Sequence, residues 1–510
     1  MKKRVKIIVG ISAAVILAAA GTALYIKRSA PPGEEWIAYD NETVILSIDR
    51  QLAGLDIGKI VEEKEGYIVE KGVKEIQKAV EEGLLTYEEI TAVCLYRIKT
   101  IDQKEKGYNS VICVNPRAID EARKKDMERG KNQEHQNGIY GIPIMLKDNI
   151  NASGMPCSAG TVAFSGYYPP SDAGLVKALK EEGAVILGKN NLSELSYYVS
   201  GIMPAGYSAV KGQTINPYGP LKLSAYGSSS GSAVAVTANL APVCIGTETD
   251  GSIIAPSAAN SVTGFKPTRG SIPGDGIFPL IKEIDTAGPI AKTVEDAAVV
   301  YRMISGAELP ESFPADALKG KTVGLLGYEY SDGEMMSLLR QKLEETGARV
   351  IDADLDTRGI ITFNSISLSF KKEFEDYTAA GRYPIRKLNE LLEYNREDPE
   401  RRMRYGQDLL EEAEKTDRPD TDGIKESVRR ADDALSAVFD EYHLDALVFL
   451  NSSGSTAPAL AGYPELTVPF GKDRKGMPQG ATFTARKGED RKLLGMGYSF
   501  EHHVQGRLIP

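Results

Sequence analysis

Histidine is scarce: four residues in 510, at positions 135, 443, 502 and 503. Catalysis through an imidazole base therefore has few places to reside, and His502 and His503 fall in a charged C-terminal stretch as ordinary solvated side chains. Cysteine is equally rare. Cys94, Cys113, Cys157 and Cys244 lie far apart with no C-x-x-C spacing, which excludes a sequence-encoded zinc site and a dense disulfide framework. A basic surplus is missing too: 61 Lys and Arg stand against 71 Asp and Glu, a net charge of −10. That is the wrong sign for a broad phosphate-neutralising surface, so nucleic acid is excluded as a partner. No repeat, heptad or low-complexity bias is present, which removes fibre and global disorder from consideration.

What is there is an ordinary globular composition, 42% hydrophobic and 26% charged, on a chain long enough to bury a large core. Residues 1–6 are a basic tip (Lys2, Lys3, Arg4, Lys6), followed by an uncharged, mostly apolar run over 7–26 and closed by Lys27 and Arg28. Twenty such residues make about 30 Å of helix, one hydrocarbon thickness. The expectation is a transmembrane anchor at 7–26 with a cytoplasmic tip and an extracellular catalytic body, a single-pass protein of the cell membrane. The alternative is a signal peptide cleaved after Ala18-Ala19-Ala20, giving a secreted protein. Residues 27–70 read as an acidic, irregular spacer, and 71–510 as one catalytic domain.

Within that domain, apolar residues recur at three and four from Val73 to Ile101, with Gly83 between two amphipathic helices. The glycine-bounded runs Ile142–Lys147 and Ala184–Leu187 predict buried strands, with a helix over 173–182 between them. Further strands are expected at Val323 and at Ala446–Leu450, and charged helices over 335–348 and 388–440. Strands drawn from segments hundreds of residues apart argue for one large α/β domain with a central mixed sheet covered by helices.

Between Tyr226 and Gly270 the composition turns to glycine and serine. Gly227-Ser228-Ser229-Ser230-Gly231 precedes a small-residue helix, and Gly246-Thr-Glu-Thr-Asp-Gly-Ser252 follows it. Small residues let backbone approach a substrate, and successive N–H groups in such turns face a developing oxyanion. Gly227–Gly231 also satisfies G-x-S-x-G with Ser229 as nucleophile, but it needs a preceding strand and a later histidine, for which only His443 is placed.

Together with Gly141-Ile-Pro-Ile-Met-Leu-Lys147-Asp-Asn and Gly264-Phe-Lys-Pro-Thr, these strings resemble the amidase signature family of serine hydrolases over about residues 70–505. The flanking Asp285-Thr-Ala-Gly-Pro289, Tyr405-Gly-Gln407 and Ala461-Gly-Tyr-Pro464 agree. Within the family the chain is most similar to the bacterial peptide amidase and general amidase branch. The resemblance implies an amidase signature fold, Lys147 as base, Ser228 as a bridging serine with a cis peptide bond, and Ser252 as acylated nucleophile. It places the oxyanion hole on the backbone N–H groups of Thr249, Asp250, Gly251 and Ser252, and calls for neither metal nor organic cofactor. The implied substrate is a small-molecule or peptide amide. Two departures stand out: Asp250 where many members have glycine, and Ile254 where many have arginine. Without that arginine an ammonia-donating amidotransferase role is disfavoured. A membrane-tethered binding protein on the same scaffold is a further alternative, but it would not need Lys147, Ser228 and Ser252 together.

A Ser-Ser-Lys set explains how amide cleavage proceeds without histidine. Lys147 must be neutral to accept a proton, which requires its pKa to fall about three units, or roughly 4 kcal/mol. Asp148 would oppose this, but strand alternation should turn it to the other face. Asp250 has two readings: a charge that disfavours acidic substrates, or a carboxylate turned away to accept backbone hydrogen bonds.

Overall fold

A computed structural model describes residues 33–510 except 130–137, 329–330, 361, 417–418 and 420. Thirteen strands are present among the described residues. The first half supplies β1 (Val111–Val114), β2 (Pro143–Lys147), β3 (Val185–Asn190), the short pair β4 (Tyr207–Ser208) and β5 (Gly212–Gln213), and β6 (Val243–Glu248). The second supplies β7 (Thr263–Lys266), β8 (Thr286–Ala291), β9 (Thr322–Leu326), β10 (Arg349–Ala353), β11 (Ala446–Leu450), β12 (Glu465–Lys472) and β13 (Pro478–Thr484). Eleven of them form one mixed sheet in the order β1-β3-β2-β6-β8-β7-β12-β13-β11-β9-β10.

Parallel pairing of β2 with both β3 and β6 puts Pro143–Lys147 in the interior, every residue buried. This explains its unbroken apolar reading, since a parallel strand is covered on both faces. The expected helices appear at Val73–Glu81, Tyr87–Arg97 and Gly174–Glu181. The stretch 388–440 is not continuous. It divides into Leu388–Arg396, Pro399–Arg402, Asp408–Glu414 and Thr421–Glu441, and Pro399 opens the second piece because it has no N–H to continue the first.

The segment 27–70 is not irregular where it is described. Helices run over Asn41–Leu52 and Ile57–Lys64, and the first buries Val44, Ile48 and Leu52, one face at a spacing of four. The anchor or signal sequence expected at 7–26, with its basic tip, lies outside the described residues. Among the described residues no helix is long and apolar enough to cross a membrane.

Candidate active site

Lys147 closes β2 with no exposed surface. Its Nζ donates to Ser228 Oγ at 2.7 Å, Thr247 Oγ1 at 2.9 Å and the Thr247 carbonyl at 3.1 Å. Asn149 Nδ2 also donates to Thr247 Oγ1, at 3.0 Å. Burial pulls the Lys147 ammonium down from its ordinary value to about 7, against the opposing negative charges of Asp285 and Glu248. Asp148 points to the other face, as strand alternation requires. There its Oδ1 accepts from Lys189 Nζ at 2.9 Å, and Oδ2 accepts from the Ser158 N–H at 3.0 Å and from the Ser158 hydroxyl.

The Gly227–Ser228 peptide bond is cis. Glycine is required at 227 because a Cβ would fall 2.3 Å from Ser193 Oγ, and the Ser193 N–H donates to the Ser228 carbonyl at 3.1 Å. The buried helix Ser230–Thr237 follows. Ser229 is not the nucleophile of an elbow: no strand precedes it, His443 is exposed, and its own side chain is spent on β6. Ser229 Oγ donates to the Thr247 carbonyl at 3.1 Å and accepts from the Thr247 N–H at 3.2 Å. The Ser229 N–H donates to the Ser252 carbonyl at 3.2 Å, which stitches the two serine loops together.

Ser252 is half-buried and follows Gly251, whose φ of +73° is open to glycine at little cost. Glu248 fixes this turn. Its Oε2 accepts from the N–H groups of Ile253 at 2.6 Å and Ile254 at 3.0 Å, where the helix Ile254–Ala259 begins. The N–H groups of Thr249, Asp250, Gly251 and Ser252 donate to no protein acceptor among the described residues. Thr249 Oγ1 donates to Asp285 Oδ1, whose other oxygen accepts from the Leu280 N–H at 2.8 Å. Burial raises the Asp285 carboxyl to about 6.

Asp250 accepts from Thr456 Oγ1 at 3.1 Å on each oxygen, so one side-chain hydroxyl holds it, and not the backbone groups of the second reading. Burial raises it to about 6; the Thr362 and Thr456 hydroxyls pull it down and the Glu248 charge pushes it up. Ile254 is fully buried and leaves no cation at that position.

A cavity of about 690 Å³ lies near the flanks of the serine loops, lined among others by Lys222, Tyr226, Ala255, Ser452 and Lys475, but not by Lys147, Ser228 or Ser252. A larger one of about 960 Å³ lies between the helices Phe363–Gly381 and Thr421–Glu441, and neither Lys147 nor either serine lines it. Among the described residues no group of three or more His, Cys, Asp or Glu is placed to hold a metal ion.

The family model described as "Amidase" matches residues 89–358, more than half of the chain. The chain belongs to the amidase family. A "Probable amidase" of Arabidopsis thaliana is 33% identical over 87% of this chain and 92% of its own length. The solved amidase family protein of Bacillus anthracis shares 39% identity and a TM-score of 0.90, over 94% of this chain and all of that one. The peptide amidase of Stenotrophomonas maltophilia shares 36% identity and a TM-score of 0.80, over 87% of this chain and 98% of its own. This amidase is thus an enzyme of amide hydrolysis with the amidase signature fold. The single-pass membrane placement is corrected. The solved amidase is matched over its whole length by the folded body, and no described helix could serve as a span.

Thr247, Glu248, Asp285, Asn149 and Thr456 were not singled out from the sequence. The first two sit inside the Gly246–Ser252 string and Asp285 opens a quoted one, so position along the motifs was the available signal. Thr456, 206 residues from Asp250, offered none.

Proposed function

We propose that the amidase cleaves neutral carboxamides through an acyl-serine formed on Ser252, with Ser228 relaying the proton and Lys147 as base. The observation that carries this reading is the fully buried Lys147 amine, held near neutrality at 2.7 Å from Ser228 Oγ. A neutral amine has two N–H bonds and one lone pair. Directing the N–H bonds at the Thr247 carbonyl and Thr247 Oγ1 leaves the lone pair for the Ser228 hydroxyl proton. Ser252 Oγ then attacks the amide carbon while its proton passes to Ser228 and the Ser228 proton to Lys147. The carbonyl oxygen takes up the negative charge beside the uncommitted N–H groups of residues 249–252. Collapse breaks the C–N bond, and the proton returns by the same path to the leaving ammonia or amine. Water repeats the sequence on the acyl-serine and releases the acid.

The similarity to a peptide amidase supports a C-terminal carboxamide as substrate, and Asp250 beside Ser252 disfavours one with a carboxylate next to the scissile bond. The amidotransferase reading has weaker support: a glutamyl-tRNA(Gln) amidotransferase chain from Chlamydia pneumoniae is 26% identical, and Ile254 supplies no cation for a glutamine carboxylate. Ser252→Ala is expected to abolish both hydrolysis of a peptide carboxamide and labelling by a fluorophosphonate. Labelling that survives in this variant would reassign the nucleophile.

A further inference from the structure

The cavity of about 690 Å³ takes wall residues from the chain just before Ser228 and just after Ser252. Tyr226, exposed, stands two residues before Ser228, so their Cα atoms are at most about 7 Å apart. Ala255 stands one helical turn beyond Gly251, and its N–H donates to the Gly251 carbonyl at 2.8 Å. Ser452, in the loop after β11, faces Gly251 directly, since a Cβ at that glycine would fall 3.5 Å from Ser452 Cβ and 3.9 Å from its Oγ. The helix Ile254–Ala259 turns Ala255, Ala258 and Ala259 to the cavity, three alanines at the spacing of one helical face. Side chains this small leave the space open, and its volume falls within the roughly 300–1,000 Å³ of ligand pockets.

The polar groups left free in this lining can all donate. Ser452 Oγ, the Tyr226 hydroxyl and the Nζ atoms of Lys222 and Lys475 have no hydrogen-bond or ion-pair partner among the described residues. The two carboxylates of the lining already serve backbone donors. Asp332 Oδ1 accepts from the N–H groups of Glu334 at 2.9 Å and Met335 at 3.2 Å, and Asp473 Oδ1 from those of Lys475 at 2.8 Å and Met477 at 2.9 Å. Asn451 and Gln479 are tied to each other at 2.8 Å. An ammonium group donates and cannot accept, so an acceptor-rich chain suits this lining and an alkyl chain does not. A peptide supplies one carbonyl oxygen at every residue.

We propose that this cavity is the subsite for the peptide chain upstream of the scissile carboxamide, so that the preferred substrate is an oligopeptide amide and not a single amino-acid amide. The inference rests on the Ser252 reading, because the contact of Ser452 and Ala255 with Gly251 is what places the cavity beside the scissile bond. The leaving group of a primary carboxamide is ammonia alone, so all further recognition falls on the acyl side.

The test compares kcat/KM for an N-acetylated amino-acid amide, an N-acetylated tetrapeptide amide ending in the same neutral residue, and a straight alkyl carboxamide of the tetrapeptide's length. The tetrapeptide should exceed the single-residue amide by about tenfold, the scale of one hydrogen bond from a charged donor, and the alkyl amide should show no such gain. Ser452→Trp, which fills the cavity, should bring the peptide ratio close to one. The double variant Lys222→Ala with Lys475→Ala should lower it by about two- to fivefold, the scale of exposed charge contacts. Fluorophosphonate labelling reports whether each variant keeps a competent site, and if Ser452→Trp does not label, the double variant decides. A ratio near one in the unaltered enzyme, an equal gain on the alkyl amide, or an unchanged ratio in the deciding variant would overturn the subsite while leaving the catalytic reading intact. An unaltered enzyme that neither labels nor cleaves carboxamides would take both down.

Discussion

Lys147 and Lys189 stand on adjacent parallel strands, one register step apart, and neither has any exposed surface. Lys147 has only uncharged acceptors within hydrogen-bonding distance, and burial drives its amine towards the neutral form. For Lys189 burial acts in the same direction, but the Asp148 carboxylate at 2.9 Å outweighs it and holds the ammonium above its ordinary value. The same side chain, buried equally on neighbouring strands, is therefore driven towards the neutral amine on one face, as the proposed base requires, and held as a charge on the other. What separates them is one carboxylate, turned away from Lys147 by the alternation of the strand.

The comparison breaks most sharply at Lys147. Lys147→Met should lower kcat/KM by at least about 10³-fold, the scale of a lost general base, while thermal denaturation shows the fold retained. A mild loss would mean that the base lies elsewhere. Lys189→Met reverses the pattern, since it leaves Asp148 buried and unpaired and should cost about 3–5 kcal/mol in denaturant unfolding. The double variant Asp148→Asn with Lys189→Met should recover most of that stability, and failure to recover would deny that the pair is a charge pair.

The two lysines should also pull stability in opposite directions with pH. The folded pKa of Lys147 is depressed, so between about 7 and 10.5 the unfolded chain binds more protons at this site. Its contribution is fully present above the unfolded value and is lost as pH falls through that window. The folded pKa of Lys189 is raised, so its contribution is present below the unfolded value and is lost as pH rises through the folded one. Activity should rise through about pH 7 as Lys147 loses its proton, and a pH–rate profile lacking that limb would contradict the assignment. The smallest effect expected is at Asp250. Asp250→Asn should improve cleavage of acidic amides relative to neutral ones by about tenfold or less, as one like charge is removed. An equal loss on every amide would instead make Asp250 a support for Thr456.

Much of this was legible along the chain. The run Ile142–Lys147 read as a buried strand because β2 is covered on both faces, and the strand period placed Asp148 opposite Lys147. The helix Asn41–Leu52 was missed although Val44, Ile48 and Leu52 repeat at four, because the acidic residues around it set the impression of a spacer. Asp285 and Thr456 reach the serine loops only through the tertiary fold, and no local period or motif records a partner 36 or 206 residues away.

The sheet order has a consequence for how the chain is made. β7 ends at Lys266 and pairs on one side with β8, but its other neighbour, β12, begins at Glu465. At 5–20 residues per second, the intervening stretch of about 200 residues takes roughly 10–40 s to synthesise. For that interval the half-sheet on the ribosome ends in an unpaired strand, an edge open to other chains. Synthesis therefore passes through a stage with an open strand edge, which closes only when the hairpin of β12 and β13 arrives.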